Sequence, residues 1–162
     1  MREMTKKVVY TEQDYVRDTH THIENVQRYM QVFAAQLHAR SMVHDKSKLE
    51  EPEKSILHQN TVEYKSYKIG SPEYKAHLKK VKVALDHHYA MNSHHPEHYK
   101  NGVAGMDLLD IVEMFCDWMV ACREHGDGDI VLSILENRKR FGYSDEVTQI
   151  LVNTAARFAK VE

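Results

Sequence analysis

From Thr11 to Arg40 the chain runs without a glycine or a proline; its apolar residues Val26, Met30, Phe33 and Leu37 keep a spacing of three or four, and Tyr15 falls in the same register eleven residues, about three turns, before Val26. That period lays them along one stripe of an α-helix and does not suit a strand, whose faces alternate every second residue. Thr11 followed by Asp14 resembles a capping box with Asp in place of Glu, so a long first helix is expected to begin there. His22 falls in the same register, four residues before Val26, and is expected to point inward. His20 lies about 200° around the helix from it, a poorer position for a buried role.

The same reading continues down the chain. Ser41 to Glu53 is polar and contains Pro52, which predicts a turn carrying His44 and Asp45, then a helix from near Pro52 to about Lys65, with Gly70 closing the region. Ser71, Pro72 and Glu73 form a helix start, and Tyr74, Leu78, Val81, Leu85 and His88 share one stripe beyond it. His88 then faces the core, with His87 beside it. Asn92 to Gly105, with Pro96 and two glycines, reads as an irregular excursion. Asp107 can cap a helix to about Glu124 that is apolar around most of its circumference and therefore central, save for a narrow stripe of acids, Asp110, Glu113 and Asp117. Gly126 to Gly128 break the chain, Asp129 to Phe141 forms a helix ended by Gly142, and Ser144 caps a last one through Phe158. With 162 residues and no alternating run, the expectation is a single all-α domain, residues 1–162, built as a bundle of about six helices.

Composition weighs against several function classes. A net charge of -2 provides no positive field for a nucleic-acid backbone. No apolar run approaches the ~20 residues of a spanning helix, and Met1 to Tyr10 lacks the apolar core of a signal peptide, so a cytoplasmic protein without a membrane partner is expected. Cys116 and Cys122 lie in an apolar segment and read as packing residues.

The unusual residue is histidine: there are 12, five of them between His87 and His98. An adjacent imidazole and carboxylate, as in His44-Asp45, can both reach a divalent cation of borderline hardness. Alone the pair more often describes a surface turn, and His22 and His88, each standing alone, more often describe hydrogen-bonded core residues; the acid stripe competes with the reading of a solvated face. Order and facing favour ligation: an inward His upstream, His-Asp at a turn, an inward His downstream, then an acid on an apolar helix, where crowded carboxylates repel unless a cation neutralises them.

These residues resemble the HD-domain superfamily, in which a helix-borne His, an HD pair and a distant Asp ligate metal inside a helical bundle. The resemblance spans Thr19 to Trp118, and His44-Asp45-Lys46-Ser47-Lys48 looks like the HDxxK version of dinuclear phosphodiesterases and related di-iron oxygenases. The stretch from His87 to Tyr99 lacks the GYP segment of the cyclic-dinucleotide enzymes, which points away from that substrate. The resemblance implies that His22, His44, Asp45 and Asp117 hold a first divalent metal (Mn, Fe, Co, Ni, Mg or Zn), and that His88, His94 and His95 are candidates for a second, with Asp45 bridging. His98, His58, His77 and His125 are left as structural or surface residues.

The activity this implies is phosphohydrolysis of a nucleotide or another small phosphate ester by metal-activated water. Lys48, three residues after Asp45 and on its face of any helix opening there, would offset phosphate charge as a catalytic and substrate-binding group. Glu113 would either orient a ligand imidazole or act as general base, and Glu97 is a further proton relay candidate. The alternatives are a di-iron oxygenase of the HD-related type and a metal-stabilised nucleotide-binding protein without turnover. The sequence leaves self-association open.

Overall fold

The structure is a computed structural model and describes residues 10–67, 71–124 and 128–158. The described residues form seven α-helices and no strand: α1 (Glu12–Ser41), α2 (Glu53–Ser66), α3 (Pro72–Lys80), α4 (Lys82–Met91), α5 (Leu108–Glu124), α6 (Ile130–Phe141) and α7 (Asp145–Phe158). No helix among them is long and apolar enough to cross a membrane. Gly70, His125 and Gly126 lie outside the described residues. The chain divides into two compact units, Met1–Ala39 and Arg40–Glu162.

The first unit is the body of α1. Its capping box forms as expected: the Thr11 amide donates to Asp14 Oδ2 at 3.0 Å and the Asp14 amide to Thr11 Oγ1 at 3.2 Å. No residue of α1 is buried. The inward-facing role expected of His22 is therefore not met, since His22 is exposed together with Val26, Met30 and Phe33. Periodicity identifies which side chains share a helix face; burial of that face needs a partner surface, which periodicity does not provide.

The second unit contains two interiors of opposite character. Phe115 from α5, Ile134 from α6, and Leu151 and Ala155 from α7 form an apolar cluster with Tyr143, and Trp118, Phe141 and Val147 pack against it. Burying a side chain such as Ile134 stabilises by about 1.5–3 kcal/mol. Local signals place these helices as expected. Asp129 Oδ1 accepts from the Val131 amide at 2.7 Å at the start of α6, and Gly142, at φ 68, ends it in the left-handed conformation that glycine adopts without penalty.

The other interior is polar. It lies among α2, α4, the N-terminal half of α5 and the excursion between α4 and α5, which contains two short 3₁₀ turns, Pro96–His98 and Gly102–Gly105. Ser71 caps α3 by accepting from the Tyr74 amide at 3.1 Å, but the expected continuous helix breaks at Val81, whose φ of -95° and ψ of 12° separate α3 from α4. That break raises the helix count from six to seven. It leaves Val81 and His88 buried, as their stripe predicts. Two expectations for α5 change: the helix is not buried around most of its circumference, since Leu108, Val112 and Val120 are exposed, and Cys116 is exposed rather than packed; in the acid stripe Asp110 is buried and Glu113 and Asp117 are partly buried.

Candidate metal centre

His44 and Asp45 lie where α1 ends and a one-turn 3₁₀ helix, Lys46–Leu49, begins. Asp45 is the one non-glycine residue with positive φ among the described residues, at 55°. Aspartate tolerates this conformation better than most residues, and such backbone departures concentrate at functional sites. His88 and Asn92 lie on the last turn of α4 and just beyond it, His94 and His95 follow, and Glu113 and Asp117 lie one turn apart on α5. A short bend after α4 thus carries two imidazoles to a third on its end.

Three of the imidazoles are held the same way. His44 donates from Nδ1 to Glu113 Oε1 at 2.8 Å, and His94 Nδ1 faces the same oxygen at 3.1 Å. His88 donates from Nδ1 to Glu53 Oε2 at 2.8 Å. A carboxylate only accepts, so each Nδ1 carries a proton and each neutral ring keeps its lone pair on Nε2. This is the arrangement by which outer carboxylates orient metal-ligating histidines.

The Nε2 atoms converge on Asp45. His88 Nε2 and His94 Nε2 each lie 3.4 Å from Asp45 Oδ1, and His44 Nε2 lies 3.6 Å from Asp45 Oδ2 and 3.9 Å from Asp117 Oδ1. His95 Nε2 lies 2.9 Å from His88 Nε2, a spacing two ring nitrogens share across one proton or one ion. His94 is 1% exposed, yet its Nε2 has no hydrogen-bond partner, and neither has the buried Asp45 Oδ1 that it faces. Orphaned buried polar atoms are uncommon and call for an unseen partner.

Three groups have donor atoms close enough to surround one ion: Asp45, His88, His94 and His95; His44, Asp45 and Asp117; and His44, His94 and Glu113. The third is the hydrogen-bonded shell just described, because its imidazoles offer the protonated Nδ1 atoms to Glu113. The first two share Asp45 and fit a divalent cation by their donor chemistry, three nitrogens and a carboxylate in one, a nitrogen and two carboxylates in the other.

Electrostatics agree with that fit. Burial, with His94 and His88 beside it, lowers the His95 pKa to about 3, and burial lowers that of His94, so both rings are neutral donors near pH 7. Burial and the neighbouring Asp45 raise the Asp117 carboxyl. Burial pushes Asp45 up, but Lys48, whose Nζ lies 2.5 Å from Oδ2, together with His88 and His44 outweighs it and the net shift is downward. Neutral imidazoles facing the Asp45 and Asp117 carboxyls make a donor set that could hold a cation.

Of the sequence candidates, His44, Asp45, His88, His94, His95, Glu113 and Asp117 come together. His22, on α1 of the first unit, belongs to none of the three groups. Lys48 is half-exposed beside Asp45, and Glu97 is taken by Arg140 at 2.5 Å, which removes it as a free proton relay. Several supporting residues were not read from the sequence. Glu53 is 0% exposed and accepts from both His87 Nδ1 (2.7 Å) and His88; these hydrogen bonds and one from Ser47 outweigh its burial and hold its carboxyl low. Arg40 donates to Glu113 Oε2 and to Asp110 Oδ1, both at 2.6 Å, while Ser93 and Tyr99 donate to Asp110. An acid after Pro52 looks like any helix-start acid, and an Arg in a last turn like any dipole partner, so neither had a distinguishing signal. Asp110 did have one, its place in the acid stripe.

No curated protein and no solved structure matches the chain. Residues 11–158 match the family of unknown function DUF5662, and the chain belongs to that family.

Proposed function

We propose that this protein is a metal-dependent phosphohydrolase acting on a nucleotide or another small phosphate ester. The observation that carries the reading is the facing pair of orphaned atoms, His94 Nε2 and Asp45 Oδ1, buried 3.4 Å apart among imidazoles clamped through their other nitrogens. His44, Asp45 and Asp117, with His88, His94 and His95, would hold the cation. When bound, a divalent cation lowers the pKa of water toward 7 and polarises a phosphoryl oxygen.

The chain's own groups supply the rest. Glu113 spends one oxygen on two imidazoles and the other on Arg40, which supports the orienting role over that of general base. Lys48, half-exposed at the rim and tethered to Asp45, offers a positive charge to an incoming phosphate.

Purified protein supplied in turn with Mn, Co, Ni, Mg and Fe is expected to release phosphate from a member of a nucleotide and phosphomonoester panel. Silence across every substrate and metal overturns the activity. The three-imidazole group also suits iron, which supports an oxygenase as the second reading. Copurified iron and oxygen consumption by the ferrous protein would favour it, whereas tight nucleotide binding without any product would favour a binding protein.

A further inference from the structure

We infer that the two donor groups fill in a fixed order: a borderline divalent cation binds first among His88, His94, His95 and Asp45, and Lys48 holds the His44, Asp45 and Asp117 group as a weaker second site. This rests on the metal-dependent reading above and reverses the ranking that the resemblance implies, in which the His-Asp pair and the distant Asp hold the primary ion.

Four observations carry the order. The first is spacing. Ligands bonded at about 2.05 Å to a tetrahedral ion stand roughly 3.3 Å from one another. His88 Nε2 and His94 Nε2 each stand 3.4 Å from Asp45 Oδ1, already at that spacing, and His95 Nε2, 2.9 Å from His88 Nε2, need only move apart slightly, while the 3.6 and 3.9 Å separations around His44 Nε2 must contract. The second is donor number and type: four donors including three imidazoles, against three donors of which two are carboxylates. Imidazole-rich groups favour zinc, cobalt, nickel and iron, and oxygen-rich ones favour manganese and magnesium.

The third observation is burial. His88 and His94 are both nearly inaccessible and each is backed by a carboxylate, so little side-chain freedom remains to be lost on binding. The orphaned atoms belong to this group, whereas Asp117 is only partly buried. The fourth is competition. Lys48 Nζ lies 2.5 Å from Asp45 Oδ2, the oxygen facing His44, while Oδ1, facing His88 and His94, has no partner. An ion in the second group must displace the ammonium or share the oxygen with it; an ion in the first meets no such rival. The Lys48 ammonium thereby supplies positive charge on the side of Asp45 where the second ion would sit.

The test is titration of metal-free protein with Co²⁺, followed by calorimetry and visible absorption, with circular dichroism confirming the fold of each variant. Two binding events are expected, the first tighter by at least ~10-fold. Asp117→Asn removes the second event and leaves the first within about threefold, His95→Gln weakens the first by about 10–100-fold, and Lys48→Gln strengthens the second by several-fold. The order is overturned if Asp117→Asn abolishes the first event, if His95→Gln leaves it intact, or if Lys48→Gln leaves the second unchanged. Silent phosphate assays alongside the expected titrations would overturn the activity and leave the order standing; turnover with the reverse order would do the opposite.

Discussion

Helix α5 borders two interiors that are built on different physics. Phe115 and Trp118 turn toward α6 and α7, where Ile134, Leu151 and Ala155 exclude water; Asp110, Glu113 and Asp117, on the same helix, turn toward histidines, Arg40 and Tyr99. The apolar side gains free energy from burial itself. The polar side loses it on burial and recovers it only where every group finds a partner. On that side the accounting is complete for Asp110, Glu113 and Glu53 and open at His94 Nε2 and Asp45 Oδ1. One face is therefore a source of stability and the other the candidate site, and substitutions on the two faces should produce separable losses.

The largest expected effect tests the polar face. His94→Ala should lower phosphate release by about 10³-fold, some 4 kcal/mol of transition-state stabilisation, in a variant that circular dichroism shows still folded. A normal rate in this variant would break the comparison. Next, Ile134→Ala should destabilise by about 2–5 kcal/mol in urea unfolding while Co²⁺ affinity in the folded protein stays as it was. Loss of metal binding in step with stability would show that the two interiors are not separable.

Glu113→Gln should cost about 10–100-fold in Co²⁺ affinity, measured by calorimetry, because the amide no longer fixes the tautomers of His44 and His94 together. The smallest effect is in pH. His95 has a folded pKa of about 3 against an ordinary value near 6.5, so the folded state prefers the neutral ring. Its contribution to stability is present above pH 6.5 and is lost as pH falls toward 3. Between pH 7 and 5 the metal-free protein should lose about 2 kcal/mol, read as a fall in melting temperature of roughly 5 °C. The raised Asp117 carboxyl titrates in the opposite sense, since protonation relieves its burial, so the loss is sharpest in Asp117→Asn. Stability rising on acidification would contradict the buried neutral histidines.

Much of this molecule was legible before any coordinates. The capping box at Thr11, the Ser71 and Asp129 caps and the left-handed Gly142 all appear where their residues predict. So does the burial of His88, because a stripe at helical spacing includes it. The break at Val81 was not legible, since no glycine or proline marks it. In the site, the His-Asp pair and the clustered histidines were visible by type; the exposure of His22 and the burial of Glu53 were not.

The division follows from range. A helix is made by hydrogen bonds four residues apart and closed by caps within one turn, so the amino-acid order by itself determined six amphipathic or capped segments, one of which the tertiary structure divides at Val81. The site is made by contacts of another order: His44 meets Glu113 from 69 positions away and His88 meets Glu53 from 35. Which carboxylate backs which imidazole, and which two atoms are left facing each other without a partner, depends on how helices pack, and packing is decided by the whole folded unit rather than by any local run.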